Sequence, residues 1–411
     1  MLYHLHEMQR SFLTPLMQWA DASSKLFSNP VSPLAHTPFS QRIAAGYELM
    51  YRLGKDYEKP AFGIDTVTIG ADTVRIVERI EVAKPFCRLL HFRKDLDAAA
   101  LSALDQPKVL LVAPLSGHHS TLLRDTVRAL LPKHDVYITD WTDARMVPLS
   151  AGPFHLDDYI FYVQDFIRHL APDLHVVSVC QPTVPVLAAI SLMASARDPK
   201  LPKTMTMMGG PIDPRRSPTA VNDLATEKPF SWFENTVIYS VPGNYPGVGR
   251  RVYPGFLQHA GFIAMNPGRH AQSHREFYNH LVAGDDEPAE SHRQFYNEYN
   301  AVLDMPAEYY LDTIKTVFQD FALPMGTWRV GGQLVRPQDI KSVALLTVEG
   351  ELDDISGAGQ TQAAHDLCSG IPAEMKQDYV AEKAGHYGIF SGRRWRETIC
   401  PKIGEFIRKH G

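Results

Sequence analysis

The chain has 411 residues, of which 45% are hydrophobic and 21% are charged, so it can bury a large core and is not a disordered or fibrous protein. Its 41 Lys and Arg against 46 Asp and Glu give a net charge of −5, which argues against nucleic acid as a partner. The four cysteines are scattered without a C-x-x-C pair, which predicts neither a zinc site nor a disulfide framework. We therefore expect no metal and no cofactor.

Residues 1 to about 55 are predicted to be helical, because Leu5, Met8, Phe12, Leu16 and Trp19 recur at three- and four-residue spacing. This apolar stripe has two interpretations: it docks the helix on the body of the protein, or it adheres to an external apolar surface. No basic segment followed by an unbroken apolar run begins the chain, and no apolar stretch reaches roughly 18 residues. We expect no membrane span and a cytoplasmic location.

The next segment, from Phe62 to Phe92, alternates polar and apolar residues, which predicts antiparallel strands with one wet face. Continuously apolar strands follow, and helix-length segments come after the first three of them, at about 118–132, 154–171 and 183–197. This order predicts a mostly parallel, doubly wound sheet covered by helices on both faces. The predicted buried strands are Lys108–Pro114, Asp135–Asp140, Leu174–Val179 and Ser342–Val348.

Cys180 lies where one of these strands meets its helix, at the carboxyl edge of the sheet where α/β proteins place their chemistry. Hydrolases put a nucleophile on such a turn, usually within G-x-S-x-G. The pentapeptide here is Ser178-Val179-Cys180-Gln181-Pro182, which keeps neither glycine. Taken alone it fits an inert buried cysteine as well as a nucleophile.

An acid and a histidine follow in the chain. Asp353 and Asp354 come after the last predicted parallel strand, and His386 lies in a glycine-flanked loop before the C-terminal helix. The order nucleophile, acid, histidine is that of α/β-hydrolases, and it favours a catalytic Cys180. We favour Asp353 as the acid, with Asp354 as the alternative.

Oxyanion stabilisation needs two backbone N–H donors. Ser116 occupies the loop after the first predicted parallel strand, and Gln181 follows the cysteine directly, so we expect their N–H groups to form the oxyanion hole. Ser116 is not predicted to be a nucleophile, because its surroundings do not match G-x-S-x-G and no other stretch of the chain does.

The predicted architecture is an α/β-hydrolase fold with an inserted cap and an N-terminal helical arm. Between about residues 211 and 338 the sequence is rich in aromatic residues and no longer alternates strands with helices, which predicts a cap inserted between two parallel strands. The predicted divisions are an arm at 1–58, a first core part at 59–210, a cap at 211–338 and a second core part at 339–411.

Motifs along nearly the whole chain resemble those of the intracellular polyhydroxybutyrate (PHB) depolymerases. They are Pro114-Leu115-Ser116-Gly117-His118, Asp140-Trp141-Thr142-Asp143-Ala144-Arg145, Ser178-Val179-Cys180-Gln181-Pro182, Gly350-Glu351-Leu352-Asp353-Asp354-Ile355 and Gly385-His386-Tyr387-Gly388. The resemblance implies an α/β-hydrolase that attacks amorphous PHB granules with a triad of Cys180, Asp353 and His386. The expected partner is therefore the granule surface.

Two other activities stay open. Polyhydroxyalkanoate synthases share a related triad, although this chain lacks their glycine-flanked cysteine box, and an inactive granule-binding protein would keep the same fold. Because a thioester exchanges readily with thiols, coenzyme A is an alternative to water as the acyl acceptor.

Overall fold

The computed structural model describes residues 2–411, and its strands lie close to those predicted. The observed strands are β1 Thr66–Ile69, β2 Asp72–Lys84, β3 Cys87–Lys94, β4 Lys108–Val112, β5 Asp135–Trp141, β6 Leu174–Val179, β7 Thr204–Met208, β8 Tyr239–Ser240, β9 Arg251–Tyr253, β10 Met305–Pro306, β11 Arg329–Val330, β12 Gln333–Leu334, β13 Ala344–Gly350 and β14 Lys376–Ala381.

Within residues 2–411 the main sheet has nine strands in the order β1-β2-β3-β5-β4-β6-β7-β13-β14. The first three strands are antiparallel, and β3 also pairs antiparallel with β5. From β5 to β14 every neighbouring pair is parallel. This confirms the predicted mostly parallel sheet of an α/β-hydrolase with an antiparallel edge.

Helices cover the sheet and fill the segment between β7 and β13, joined by short 3₁₀ and π segments. They are α1 Leu2–Ser28, α2 Ser40–Gly54, α3 Ala98–Leu104, α4 Arg124–Leu130, α5 Leu156–Leu170, α6 Thr183–Ser195, α7 Ala220–Glu227, α8 Phe230–Thr236, α9 Gly255–Met265, α10 Pro267–Ala283, α11 Asp286–Tyr299, α12 Ala307–Thr313, α13 Ala364–Leu367, α14 Gly392–Arg394 and α15 Cys400–His410.

The parallel strands are apolar throughout because both of their faces are buried. On β4, Leu110 packs into one core with α5 and α6, whereas Val109 and Leu111 pack into a second core with α4 and α15. Successive side chains of a strand point to opposite faces, so a strand with a core on each side must be apolar at every position.

The arm packs on the body through the face of α1 that does not carry the predicted stripe. Its buried residues are Tyr3, Met17, Ala20, Ser23 and Ser24. The stripe of Leu5, Met8, Phe12, Leu16 and Trp19 faces solvent, with exposed fractions between 42% and 77%. No helix in residues 2–411 is long and apolar enough to cross a membrane.

Between β7 and β13 the chain folds over the carboxyl ends of the parallel strands. Helices α7 to α12 lie in this segment, together with a small antiparallel sheet in the order β10-β9-β8. Tyr309 of α12 stacks on Tyr159 of α5, with ring centroids 5.5 Å apart. The segment is thereby attached to the sheet domain directly beside the turn that carries Cys180.

Candidate active site

Cys180 occupies a sharp turn between β6 and α6. Its φ of 68° lies in the left-handed region, which a residue with a Cβ adopts only at a cost. The turn is held by the Cys180 N–H, which donates to the carbonyl oxygen of Met208 at 2.7 Å. A strained strand-to-helix turn of this kind is the geometry on which hydrolases place a nucleophile, and here Cys180 lines the cavity described below.

The other thiols lie in the core. Cys87, Cys368 and Cys400 are buried, whereas Cys180 is partly accessible. Burial raises the pKa of Cys368 and of Cys400 to about 12, and burial raises that of Cys87 well above its usual range. These three groups are therefore neutral and inaccessible near neutral pH.

Space for the elbow comes from the neighbouring strand. Gly210 follows β7, and a Cβ there would lie 2.4 Å from the carbonyl oxygen of Cys180 and 1.8 Å from Oγ1 of Thr183. A Cβ on Gly209, which has a φ of 56°, would lie 3.3 Å from Oδ2 of Asp353. The small residues absent from the elbow pentapeptide are thus supplied by Gly209 and Gly210, a role that the sequence analysis missed.

His386 contacts Asp353. Its Nδ1 lies 2.8 Å from Asp353 Oδ2, and both side chains are at least 95% buried. An ionised carboxylate only accepts hydrogen bonds, so Nδ1 carries the proton and Nε2 is left free to act as a base. Asp354 is exposed and makes no hydrogen bond to His386 among the described residues.

Asp353 is itself held rigidly. Its Oδ1 accepts hydrogen bonds from the N–H groups of Ile355 at 2.9 Å and Ser356 at 2.8 Å, which leaves Oδ2 facing the imidazole. Burial alone would lower the pKa of His386, but the Cys180 thiolate and the Asp353 carboxylate raise it well above its usual value. The surroundings of His386 therefore stabilise its protonated form, which a general base reaches when it takes a proton.

The two predicted oxyanion donors lie beside the cysteine. Ser116, in the loop after β4, and Gln181 both line the cavity that contains Cys180. Within residues 2–411 neither of these two backbone N–H groups has a hydrogen-bond acceptor. The donors of an oxyanion hole must be free in this way to bind a substrate oxygen. The Gln181 side chain is fixed by Tyr309, whose hydroxyl donates to Oε1 at 2.7 Å.

A cavity of about 340 Å³ extends from Cys180 and His386 upward under the cap. Apolar and aromatic side chains form most of its wall, which suits an uncharged substrate. Its cap-side lining consists of Ala220, Val221, Leu224, Ala225, Phe233, Tyr253, Gln258, Gly261, Phe262, Met305, Tyr309, Tyr310, Thr313, Ile314 and Phe318.

Gln258 is a lining residue that the sequence analysis did not identify. Its side-chain nitrogen donates to the carbonyl oxygens of Tyr253 at 2.8 Å and Leu303 at 3.1 Å, whereas its buried Oε1 has no donor among the described residues. Nothing in the local sequence of α9 distinguishes this glutamine, because its role depends on how the cap folds over the sheet.

Comparison with known proteins gives a family match in one half of the chain. A sequence model of the family described as the PHB de-polymerase C-terminus matches residues 209–411. No curated protein sequence matches the chain.

Solved structures resemble the chain at low sequence identity. A monoacylglycerol lipase of Paleococcus ferrophilus is 14% identical, with 74% of this chain and 96% of that chain covered and a TM-score of 0.45. The 2-hydroxy-6-oxo-6-phenylhexa-2,4-dienoate hydrolase of Rhodococcus sp. strain RHA1 is 12% identical, with 82% and 99% covered and a TM-score of 0.43.

The matched residues include Gly209, Asp353 and His386, whereas Cys180 lies outside them. Residues 209–411 therefore match the C-terminal part of the PHB depolymerase family, and the sheet topology is that of an α/β-hydrolase; together they support a carboxylic ester hydrolase.

Proposed function

We propose that the protein hydrolyses the ester bonds of amorphous poly(3-hydroxybutyrate) and releases 3-hydroxybutyrate or short oligomers. The observation that carries the proposal is the position of Cys180, on a left-handed elbow next to a histidine that Asp353 orients. The apolar cavity above the elbow supports the choice of a neutral polyester as substrate.

In the proposed mechanism the Cys180 thiolate attacks a backbone ester carbonyl, with His386 as the acceptor of the thiol proton. The Ser116 and Gln181 N–H groups bind the oxyanion of the tetrahedral intermediate. Collapse of this intermediate breaks the ester C–O bond, and the imidazolium returns its proton to the leaving alkoxide. A thioester between Cys180 and the acyl fragment remains.

Water then attacks the thioester with His386 as the base, and the thiolate leaves. Asp353 holds the imidazole in the required tautomer through both steps. The alternative acceptor is the thiol of coenzyme A, which would release an acyl thioester instead of a free acid. We propose that the reaction takes place in the cytoplasm at the granule surface.

Cys180→Ala tests the nucleophile, with Ser116→Ala as the matched control. The first variant removes the sulfur, and we expect it to lose at least about 10³-fold in kcat on amorphous granules. The second keeps the backbone N–H that we assign to the oxyanion hole, so it should stay within about threefold of the parent. Equal thermal unfolding temperatures would show that both variants fold, and full activity of Cys180→Ala would refute the mechanism.

Product analysis separates the competing activities. Granules incubated with the protein, with and without coenzyme A, should yield free 3-hydroxybutyrate or its oligomers by mass spectrometry. Acyl-coenzyme A products would identify thiolysis. Polymer growth from 3-hydroxybutyryl-coenzyme A would favour a synthase-like acyltransferase, and an absence of products with intact granule binding would identify an inactive binding protein.

A further inference from the structure

Helix α1 makes hydrogen bonds from its inner face and also carries a row of apolar side chains on its solvent-facing side, where an ordinary surface helix is polar. We call the solvent-facing residues Leu5, Met8, Phe12, Leu16 and Trp19 the outer stripe. They span roughly 21 Å along the helix. Phe12, the most exposed of them, shows 77% of its surface to solvent. A contiguous apolar surface of this kind marks an interaction site more often than a chance exposure.

The inner face fixes the orientation of the helix. The Tyr3 hydroxyl donates to Asp304 Oδ2 at 2.6 Å, and Glu7 Oε2 accepts from the Tyr245 hydroxyl at 2.9 Å. Near the other end, the Ser24 hydroxyl donates to a carbonyl oxygen of α2 at 3.0 Å. A rotation that buried the outer stripe would break these hydrogen bonds, two of which end on carboxylates, so the stripe is held outward.

The outer face is uncharged as well as apolar. Between Leu2 and Ala22 none of the exposed residues is Asp, Glu, Lys or Arg. Of the charged residues of this stretch, Arg10 pairs with Glu7 at 3.5 Å and with Asp56 at 3.2 Å, and Asp21 pairs with the exposed Lys25 at 2.6 Å, beyond the end of the outer stripe. Helices that bind anionic membranes carry Lys or Arg on the face beside their apolar stripe. The outer face of α1 instead matches a surface that is apolar and electrically neutral.

The outer stripe is one helix away from the cavity. The first turn of α9 lies under α1, where Phe256 stacks on His6 with ring centroids 4.0 Å apart. About one and a half turns further along α9, Gly261 and Phe262 line the cavity above Cys180. The outer stripe therefore lies on the side of α1 that faces away from α9, about one helix diameter (~10 Å) from the helix that forms the cavity wall.

We propose that the outer stripe of α1 is the docking surface for the substrate polymer, an uncharged and water-insoluble polyester, and that it holds the cavity at the polymer surface. The inference rests on the proposed function for the identity of the polymer. The stripe acts by burying apolar area without charge pairing, so screening by salt does not weaken docking. Hydrolysis of a small dissolved ester does not need it.

The test compares Leu5→Gln/Phe12→Gln/Leu16→Gln with Ile80→Gln/Val380→Gln, which changes exposed apolar residues on β2 and β14. Glutamine keeps the helix propensity of α1 and removes its apolar surface. Binding to amorphous poly(3-hydroxybutyrate) particles is measured by co-sedimentation in a Cys180→Ala background, so that no polymer is consumed. The same substitutions in the active protein are assayed on dissolved p-nitrophenyl butyrate.

We expect the triple variant to bind the particles at least tenfold more weakly, with kcat/KM on the dissolved ester unchanged, and the control to bind within twofold of its parent. Particle binding within twofold in the triple variant would overturn the proposal. So would an equal loss on the dissolved ester, or equally tight binding of phosphatidylserine vesicles. A dimer that the triple variant dissociates without loss of particle binding would assign the stripe to a second copy.

The proposed function fails separately from this inference. If the active parent released no product from the particles while the triple variant still lost binding, the activity would be wrong and the docking surface would stand. If the parent degraded the particles and the triple variant bound and degraded them equally well, the docking surface would be wrong and the activity would stand.

Discussion

The replacement Asp353→Asn tests how the acid controls His386, because the surroundings of Asp353 dictate how an amide must lie there. Oδ1 accepts hydrogen bonds from two backbone N–H groups, those of Ile355 and Ser356. An asparagine keeps these bonds only if its oxygen takes the same position. Its NH₂ group then faces Nδ1 of His386.

The amide would act as a donor toward Nδ1, so that nitrogen would have to accept and the proton would move to Nε2. The imidazole would then present an N–H to Cys180 and could not take the thiol proton. The flipped orientation of the amide is unfavourable, because its NH₂ group would face the two backbone N–H donors. Each unsatisfied N–H group would cost about 1–3 kcal/mol.

We therefore expect a loss of about 10³–10⁴-fold in kcat, up to the size seen for the equivalent change in a serine protease triad, which corresponds to about 4–5.5 kcal/mol of transition-state stabilisation. The assay is ester hydrolysis over a range of pH, with thermal unfolding as the check on folding. Asp354→Asn is the matched control, since Asp354 is exposed, and it should change kcat less than about threefold. A nearly active Asp353→Asn variant, or equal losses in both variants, would refute the reasoning.

Two further predictions concern stability. Gly210→Ala would put a methyl group 1.8 Å from Oγ1 of Thr183, so we expect it to lower the free energy of unfolding, measured by urea denaturation, by about 1–3 kcal/mol. Gly46 in α2 has open space around it, so Gly46→Ala should not be destabilising. Equal effects of the two replacements would contradict the assigned contact. Burial, and after it the charge of Asp304, raises the pKa of Asp143 in the folded protein above its value in the unfolded chain. Asp143 therefore stabilises the fold at low pH, and this stabilisation is lost as the pH rises from about 4 through the folded pKa. The stability of Asp143→Asn relative to the parent should increase over that range, and a constant difference in calorimetry would contradict the shift.

The order of elements followed from local pattern. Strands β4, β5, β6 and β13 are recognisable because a core lies on each of their faces, which forces apolar residues at every position. Strand β14 was missed because it is the edge strand and is mostly exposed, and β7 because its Thr-Met-Thr-Met-Met sequence is not continuously apolar. In both strands the pairing with β13, rather than composition, defines the structure.

The sequence by itself determined the residue types of the site and their chain order: a cysteine after a buried strand, an acid after another, and a histidine in a later loop. The tertiary structure decided what their neighbours do. Two backbone N–H groups orient Asp353, and not Asp354, toward His386. Gly210, just after the adjacent strand β7, leaves the space that the turn at Cys180 needs. The tertiary structure also turned the apolar stripe of α1 outward, because periodicity shows that a helix has an apolar face, whereas the hydrogen bonds of Tyr3 and Glu7 to distant residues fix which face is buried.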